Sequence, residues 1–142
     1  MTANSYPLKV GTRSEFSKTI SESDIYLFAG ITGDFAPVHI NEEAMKRTPF
    51  GGRIAHGVLI IGLMSTTVSL VIQKAVSTDK TGVSLGFDRV RFVKPVFIGD
   101  TVTVTYEVSE VMPERARSLG QVQAVNQAGE VVSVAEHIMK WV

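Results

Sequence analysis

VLIIGLMSTTVSLVIQ, residues 58–73, runs for sixteen residues without a charge, and its reading decides the fold. A membrane-spanning helix needs roughly 20 mostly apolar residues. This run is shorter and carries Ser65, Thr66, Thr67 and Ser69. It therefore reads as the body of a helix from Gly57 to Val76 that lies inside the protein. A helix apolar on nearly every side has to be wrapped on every side. The chain after it supplies the wrapping. Val83 to Phe87, Thr101 to Val108, Gly120 to Val125 and Val131 to Met139 alternate or are rich in β-branched residues, as strands are. Gly99-Asp100 and Asn126-Gln127-Ala128-Gly129 read as the turns between them. Upstream, Ser14 to Ile20 reads as a further strand with Phe16, Lys18 and Ile20 on one side. The fold class is α+β: one long central helix against an antiparallel sheet of about five strands. One such sheet covers one side of the helix, so the remaining apolar surface calls for a dimer.

Between the first strand and the long helix lie shorter pieces. Ser21 with Asp24 three positions on forms a capping-box variant. The helix it opens puts Ile25, Phe28, Ala29 and Thr32 on one face, and Gly33 suits its C′ position. Next comes Gly33-Asp34-Phe35-Ala36-Pro37-Val38-His39, a carboxylate and an imidazole five residues apart. Pro37 fixes its own φ and pushes Ala36 toward extended geometry. The backbone between the pair is therefore expected to be non-helical, a rigid turn past a helix end. Such a pair can grip one water molecule, as acid–base addition or removal of water requires. Asp34 also reads simply as a turn former and His39, between Val38 and Ile40, as a buried structural histidine. The negative end of a helix dipole is an unfavourable place for a carboxylate, which favours a use for Asp34. Asn41 caps a second short helix through Arg47, with Glu42 and Glu43 first and Lys46 and Arg47 last, as the dipole favours. The loop TPFGGR, residues 48–53, leads to His56-Gly57. That pair opens the long helix, whose first N–H groups are free to face developing negative charge.

At 142 residues the chain is expected to form one domain, residues 1–142. Its composition, 44% hydrophobic and 20% charged, is that of an ordinary globular protein. Net charge is zero and the basic residues are scattered, so neither nucleic acid nor an anionic membrane is an expected partner. With no cysteine, disulfides, thiolate chemistry and Cys-based zinc sites are excluded. MTANSYPLKVGTRSEF lacks the order of a signal peptide, and a cytoplasmic location is the expectation. No metal is expected, because Asp34, His39 and His56 lack a strong ligand spacing. No glycine-rich phosphate loop is present.

The run from Tyr26 to Ser65, YLFAGITGDFAPVHINEEAMKRTPFGGRIAHGVLIIGLMS, resembles the hydratase motif of the MaoC-like dehydratases, a family that includes (R)-specific enoyl-CoA hydratases. Three pieces match in order: the Gly-Asp…Pro-x-His turn, Ile54-Ala55-His56-Gly57, and Ser65 within the helix. Arg91-Phe92-Val93-Lys94-Pro95-Val96-Phe97-Ile98-Gly99-Asp100 resembles the strand-turn-strand that follows in the family. Ala36 departs from it, since many members carry Asn there. The resemblance implies the hot-dog fold, a homodimer or dimer of dimers with sheets side by side, and an acyl-CoA thioester substrate. It implies no cofactor beyond the CoA that the substrate carries. By resemblance Asp34 and His39 activate water for addition to a trans-2-enoyl-CoA, giving an (R)-3-hydroxyacyl-CoA, and the reverse is dehydration. The Gly57 N–H would take the thioester oxygen, with Ser65 and His56 in support. Arg89, Arg91 and Lys94 are candidates for the CoA phosphates. His137, near Trp141, matches no motif and reads as structural.

Two other readings stay open. A hot-dog acyl-thioesterase usually draws a carboxylate from the central helix, and here that helix has no Asp or Glu between Val58 and Gln73. A non-catalytic or partner subunit of a heteromeric dehydratase would borrow the fold without turning substrate over.

Overall fold

The computed structural model describes residues 6–76 and 78–142. Strand β1, Arg13–Thr19, alternates as expected: Ser14, Phe16 and Lys18 turn inward and Arg13, Glu15 and Ser17 outward. Helix α1, Glu22–Thr32, starts at a full capping box, in which Ser21 accepts from the Asp24 N–H and the Asp24 carboxylate accepts from the Ser21 N–H. Ile25 and Ala29 are its buried positions and Phe28 is half-buried, but Thr32 at the end of that face is exposed. Helix α1 stops at Gly33, whose φ of 80° is the left-handed conformation that glycine adopts without strain.

The non-helical stretch after α1 is shorter than expected. It ends at Ala36, and Pro37–Ile40 forms a one-turn helix, α2, that includes His39. Proline at the first helical position costs no hydrogen bond, because that N–H has no intrahelical acceptor anyway. Helix α3 is Glu42–Met45, capped by Asn41 Oδ1 on the Ala44 N–H at 3.0 Å, and ends before Arg47.

Helix α4 runs Gly57–Ile72 rather than to Val76. The N–H groups of Lys74 and Ala75 bond three residues back, tightening the last turn, and the Val76 N–H leaves for Pro7 O. Ile60, Leu63, Met64, Thr67, Val68 and Val71 form its buried face. Val58, Gly62, Ser65 and Ser69 form an exposed stripe opposite. The helix is thus wrapped on one side only, and most of the uncovered residues are small.

β2 (Gly82–Phe92), β3 (Thr101–Met112), β4 (Arg117–Val125) and β5 (Val131–Trp141) complete an antiparallel sheet of order β1-β3-β4-β5-β2. All four outrun the expected segments. β2 extends furthest, because irregularities between Ser84 and Gly86 and between Asp88 and Arg91 interrupt its period-two pattern. Val102, Val104, Tyr106, Val108, Val122, Ala124 and Met139 meet α4 in the core. Fully burying one such aliphatic side chain is worth roughly 1.5–3 kcal/mol. A helix lying along a curved antiparallel sheet is the hot-dog arrangement, of the α+β class.

Candidate active site

The end of α1, the turn into α2 and the start of α4 meet at one point. Gly33 reverses the chain, its N–H on Ala29 O at 2.8 Å, and sets Asp34 just beyond the helix. Asp34 Oδ1 accepts the Ala36 N–H at 3.2 Å, an Asx turn that holds the carboxylate over its own backbone. Its side chain is 52% exposed, whereas that of His39 is 12% exposed.

His39 Nδ1–H donates to the Ile54 carbonyl at 2.8 Å. That bond fixes the tautomer of a neutral ring, leaving Nε2 as the lone-pair nitrogen. Nε2 faces Asp34 Oδ2 at 3.9 Å, beyond direct hydrogen-bond reach. A water about 2.8 Å from each would subtend roughly 90°, an ordinary angle for one molecule bridging two groups. Ile54 is itself pinned, its N–H to Val38 O at 3.1 Å and its backbone bridged to Phe97.

His56 is 2% exposed and is the N-cap of α4. Its Nε2–H donates to the Asp34 carbonyl at 3.0 Å, and its ring stacks on His39 with centroids 3.7 Å apart. It thus braces both the Asp34 turn and the His39 ring. Asp34, His39 and His56 place donor atoms within 4.8 Å of one another. The two imidazole planes are 25° apart, and one nitrogen of each ring is held by a backbone carbonyl, His39 Nδ1 by that of Ile54 and His56 Nε2 by that of Asp34.

A cavity of about 300 Å³ opens beside His39 and Gly57, walled by Ile54, Ile60, Phe92, Val96 and Val132. A wider hollow of about 520 Å³ over Arg13, Glu15, Glu107, Gln121 and Gln123 contains none of Asp34, His39, His56 or Gly57. Lys94 lines the smaller cavity and pairs with Glu130 at 2.6 Å. Arg91 and Arg89 do not line it. Arg91 donates to Val90 O, and Arg89 pairs with Glu136 on β5. Ser65, two turns along α4, is exposed and does not line the cavity either.

Two neighbours of the site were not expected. Phe92 packs its ring against Gly57, and its membership of the Arg91–Asp100 segment gives no hint of that contact. Arg53, 10% exposed, bonds Glu22 at 2.7 Å, Glu42 at 2.8 Å and the Tyr26 hydroxyl at 2.6 Å. It binds α1 and α3 to the loop entering α4. Hydrogen bonds to Glu22 and then Glu42 push the guanidinium pKa further up, and both carboxyls are held below their usual range. The signal available was one arginine immediately before Ile54.

The model of the MaoC like domain matches residues 6–131. The chain belongs to this MaoC-like family. Among curated MaoC-like relatives, the chain is 41% identical over 108 residues to an (R)-specific enoyl-CoA hydratase of Rhodospirillum rubrum, covering 76% of this chain and 71% of that one. It is 42% identical over 113 residues to a 3-hydroxybutyryl-CoA dehydratase of Methylorubrum extorquens, covering 78% and 67%. The solved (R)-hydratase from A. caviae superposes with a TM-score of 0.84 at 27% identity, over 94% of this MaoC-like chain and 96% of that one.

Proposed function

We propose that this chain is a hydro-lyase that reversibly adds water to trans-2-enoyl-CoA, giving (R)-3-hydroxyacyl-CoA. One observation carries the reading: Asp34 Oδ2 and His39 Nε2 stand 3.9 Å apart, a water's span, beside the cavity that Gly57 lines. The names of the hydratase and dehydratase relatives support it. The stereochemistry follows the relatives and not the geometry.

In the hydration direction the water lies between the two side chains. Asp34 accepts one of its hydrogens and orients it, while His39 Nε2 takes the other as the oxygen bonds to C3. The electron pair of the C2–C3 double bond moves onto the thioester as an enolate. The N–H of Gly57, in the first turn of α4 where helix donors lack intrahelical acceptors, donates to that oxygen. The imidazolium, stabilised by the Asp34 carboxylate, returns the proton to C2 on the same face. Water is consumed and no cofactor takes part. Lys94, at the cavity wall, is the best placed of the three candidate cations for the CoA phosphates. Arg89 would have to leave Glu136 to serve there.

The working unit is inferred to be one domain that pairs as a homodimer, in the cytoplasm. Among the described residues strand β2 ends the sheet with one edge unpaired, and Leu85, Phe92 and Val93 near it are exposed, as is one stripe of α4. A second copy paired along β2 would cover them. Light scattering that gives a monomer mass at micromolar concentration would refute the dimer.

The hydration reading is tested by following loss of the enoyl-thioester absorbance with crotonyl-CoA. Asp34→Asn and His39→Ala are each expected to lose about 10²–10⁴-fold in kcat while retaining the fold. Turnover unchanged in either variant would overturn the assignment.

A further inference from the structure

Phe92 closes β2, and its backbone is held by register with Ser133 and by the Val93 N–H on Val132 O at 2.8 Å. The side chain is 54% exposed. Its ring nevertheless occupies the one space that Gly57 leaves free: a Cβ at position 57 would lie 2.8 Å from three of its ring carbons. The ring thus lies flat against the first residue of α4. Phe92, Gly57 and His39 all line the same cavity, so the acyl thioester enters a slot with imidazole and phenyl among its walls.

From this we propose that Phe92 is the specificity-determining wall of the site, restricting it to short trans-2-enoyl thioesters unbranched at C2. The proposal rests on the hydration reading above. A conjugated enoyl thioester is planar and slides edge-on past the ring. A methyl group at C2 widens that plane where Phe92 stands against Gly57. Chain length is limited by the same wall: with Ile60, Val96 and Val132 the ring bounds a cavity of about 300 Å³, at the bottom of the roughly 300–1,000 Å³ range of small-molecule sites. Removing the Phe92 ring leaves the backbone of β2 in place and opens the slot sideways.

The test compares wild type, Phe92→Ala and Phe92→Leu on trans-2-butenoyl-CoA, trans-2-octenoyl-CoA and 2-methyl-2-butenoyl-CoA. Calorimetric binding of the saturated butanoyl-CoA and octanoyl-CoA runs in parallel. In Phe92→Ala, kcat/KM for the longer and branched substrates relative to butenoyl-CoA is expected to rise at least about tenfold, the size of effect a few carbons in an apolar pocket produce. The ratio of the two dissociation constants moves the same way, and Phe92→Leu falls between. Relative kcat/KM and binding ratios that both move less than about twofold in folded Phe92→Ala would overturn the proposal. A wild type that hydrates none of the three thioesters defeats the hydration reading instead, and the binding ratios then decide the role of Phe92 alone.

Discussion

Acidification from pH 7 to pH 4.5 should weaken this fold through one buried imidazole. His137 on β5 has no exposed surface. The Tyr106 hydroxyl lies 3.1 Å from its Nδ1, Ser84 Oγ lies 2.8 Å from its Nε2, and Phe87 tilts against the ring at 4.9 Å. A neutral ring satisfies both partners, accepting at one nitrogen and donating at the other. Burial lowers its pKa from 6.5 to about 4. The group is therefore depressed in the folded state, and the unfolded chain binds the proton first. Stability contributed by the neutral ring is complete above the unfolded value of 6.5 and declines as pH falls toward about 4. The gap corresponds to about 3 kcal/mol, most of it lost by pH 4.5. Glu22 and Glu42, held low by Arg53, and Glu130, held low by Lys94, begin to lose their stabilisation as pH falls to their unfolded value of 4.5, so the comparison with His137→Gln, and not the window alone, isolates His137. Urea unfolding at fixed protein concentration, followed through the buried Trp141, measures the slope. His137→Gln should lower stability at pH 7 and flatten that slope. A wild-type change below about 0.5 kcal/mol between pH 6.5 and 4.5, or an unchanged slope in His137→Gln, would refute the reasoning.

Three further outcomes follow from packing. Gly120→Ala would place a Cβ 2.0 Å from the Tyr106 ring. Because that ring is locked in the core, overpacking should cost about 1–3 kcal/mol or more, read as a fall of several degrees or more in melting temperature. Ser21→Ala removes one arm of the capping box and should cost about 1 kcal/mol in urea unfolding, with kcat little changed. Arg53→Ala releases the loop next to Ile54, whose carbonyl orients His39. Its kcat on crotonyl-CoA is expected to fall about tenfold or more with a smaller change in KM, and Arg53→Lys should recover only part of it, since an ammonium cannot reproduce the guanidinium fork.

The elements most readable in the chain are those whose pattern needs no partner. Ser21, Asp24 and Gly33 announce the two ends of α1 within twelve residues of each other, and the structure keeps both ends. The uncharged run announces α4, but its end was set by the Pro7 carbonyl taking the Val76 N–H, a contact 69 residues away in sequence. By its own pattern β2 was legible only as far as Phe87, and its end at Arg91 and Phe92 entered only through the family resemblance of the Arg91–Asp100 segment. Beyond Phe87, Asp88, Arg89 and Arg91 look like a polar connection, yet the strand continues because an irregularity with Arg89 at φ 51° re-aims the residues after it.

The site divides along the same line. Asp34 and His39 are visible because they share a turn, and Pro37 between them limits what the backbone can do. The stack of His39 on His56 joins α2 to the cap of α4, seventeen residues on, and no local rule places one imidazole face on another. Arg53 was hidden in a different way. Glu42 sits in the first turn of α3, where the helix dipole already accounts for an acidic residue. Nothing therefore points from Glu42 to a partner, although Arg53 holds it together with Glu22. Ser65 is the reverse case: its helical spacing puts it on the side of Gly57, and the structure leaves it exposed two turns along α4, outside the lining of the cavity. Eight residues at about 1.5 Å each set Ser65 roughly 12 Å along the axis from Gly57, so sharing a side of α4 does not bring it to a cavity of about 300 Å³.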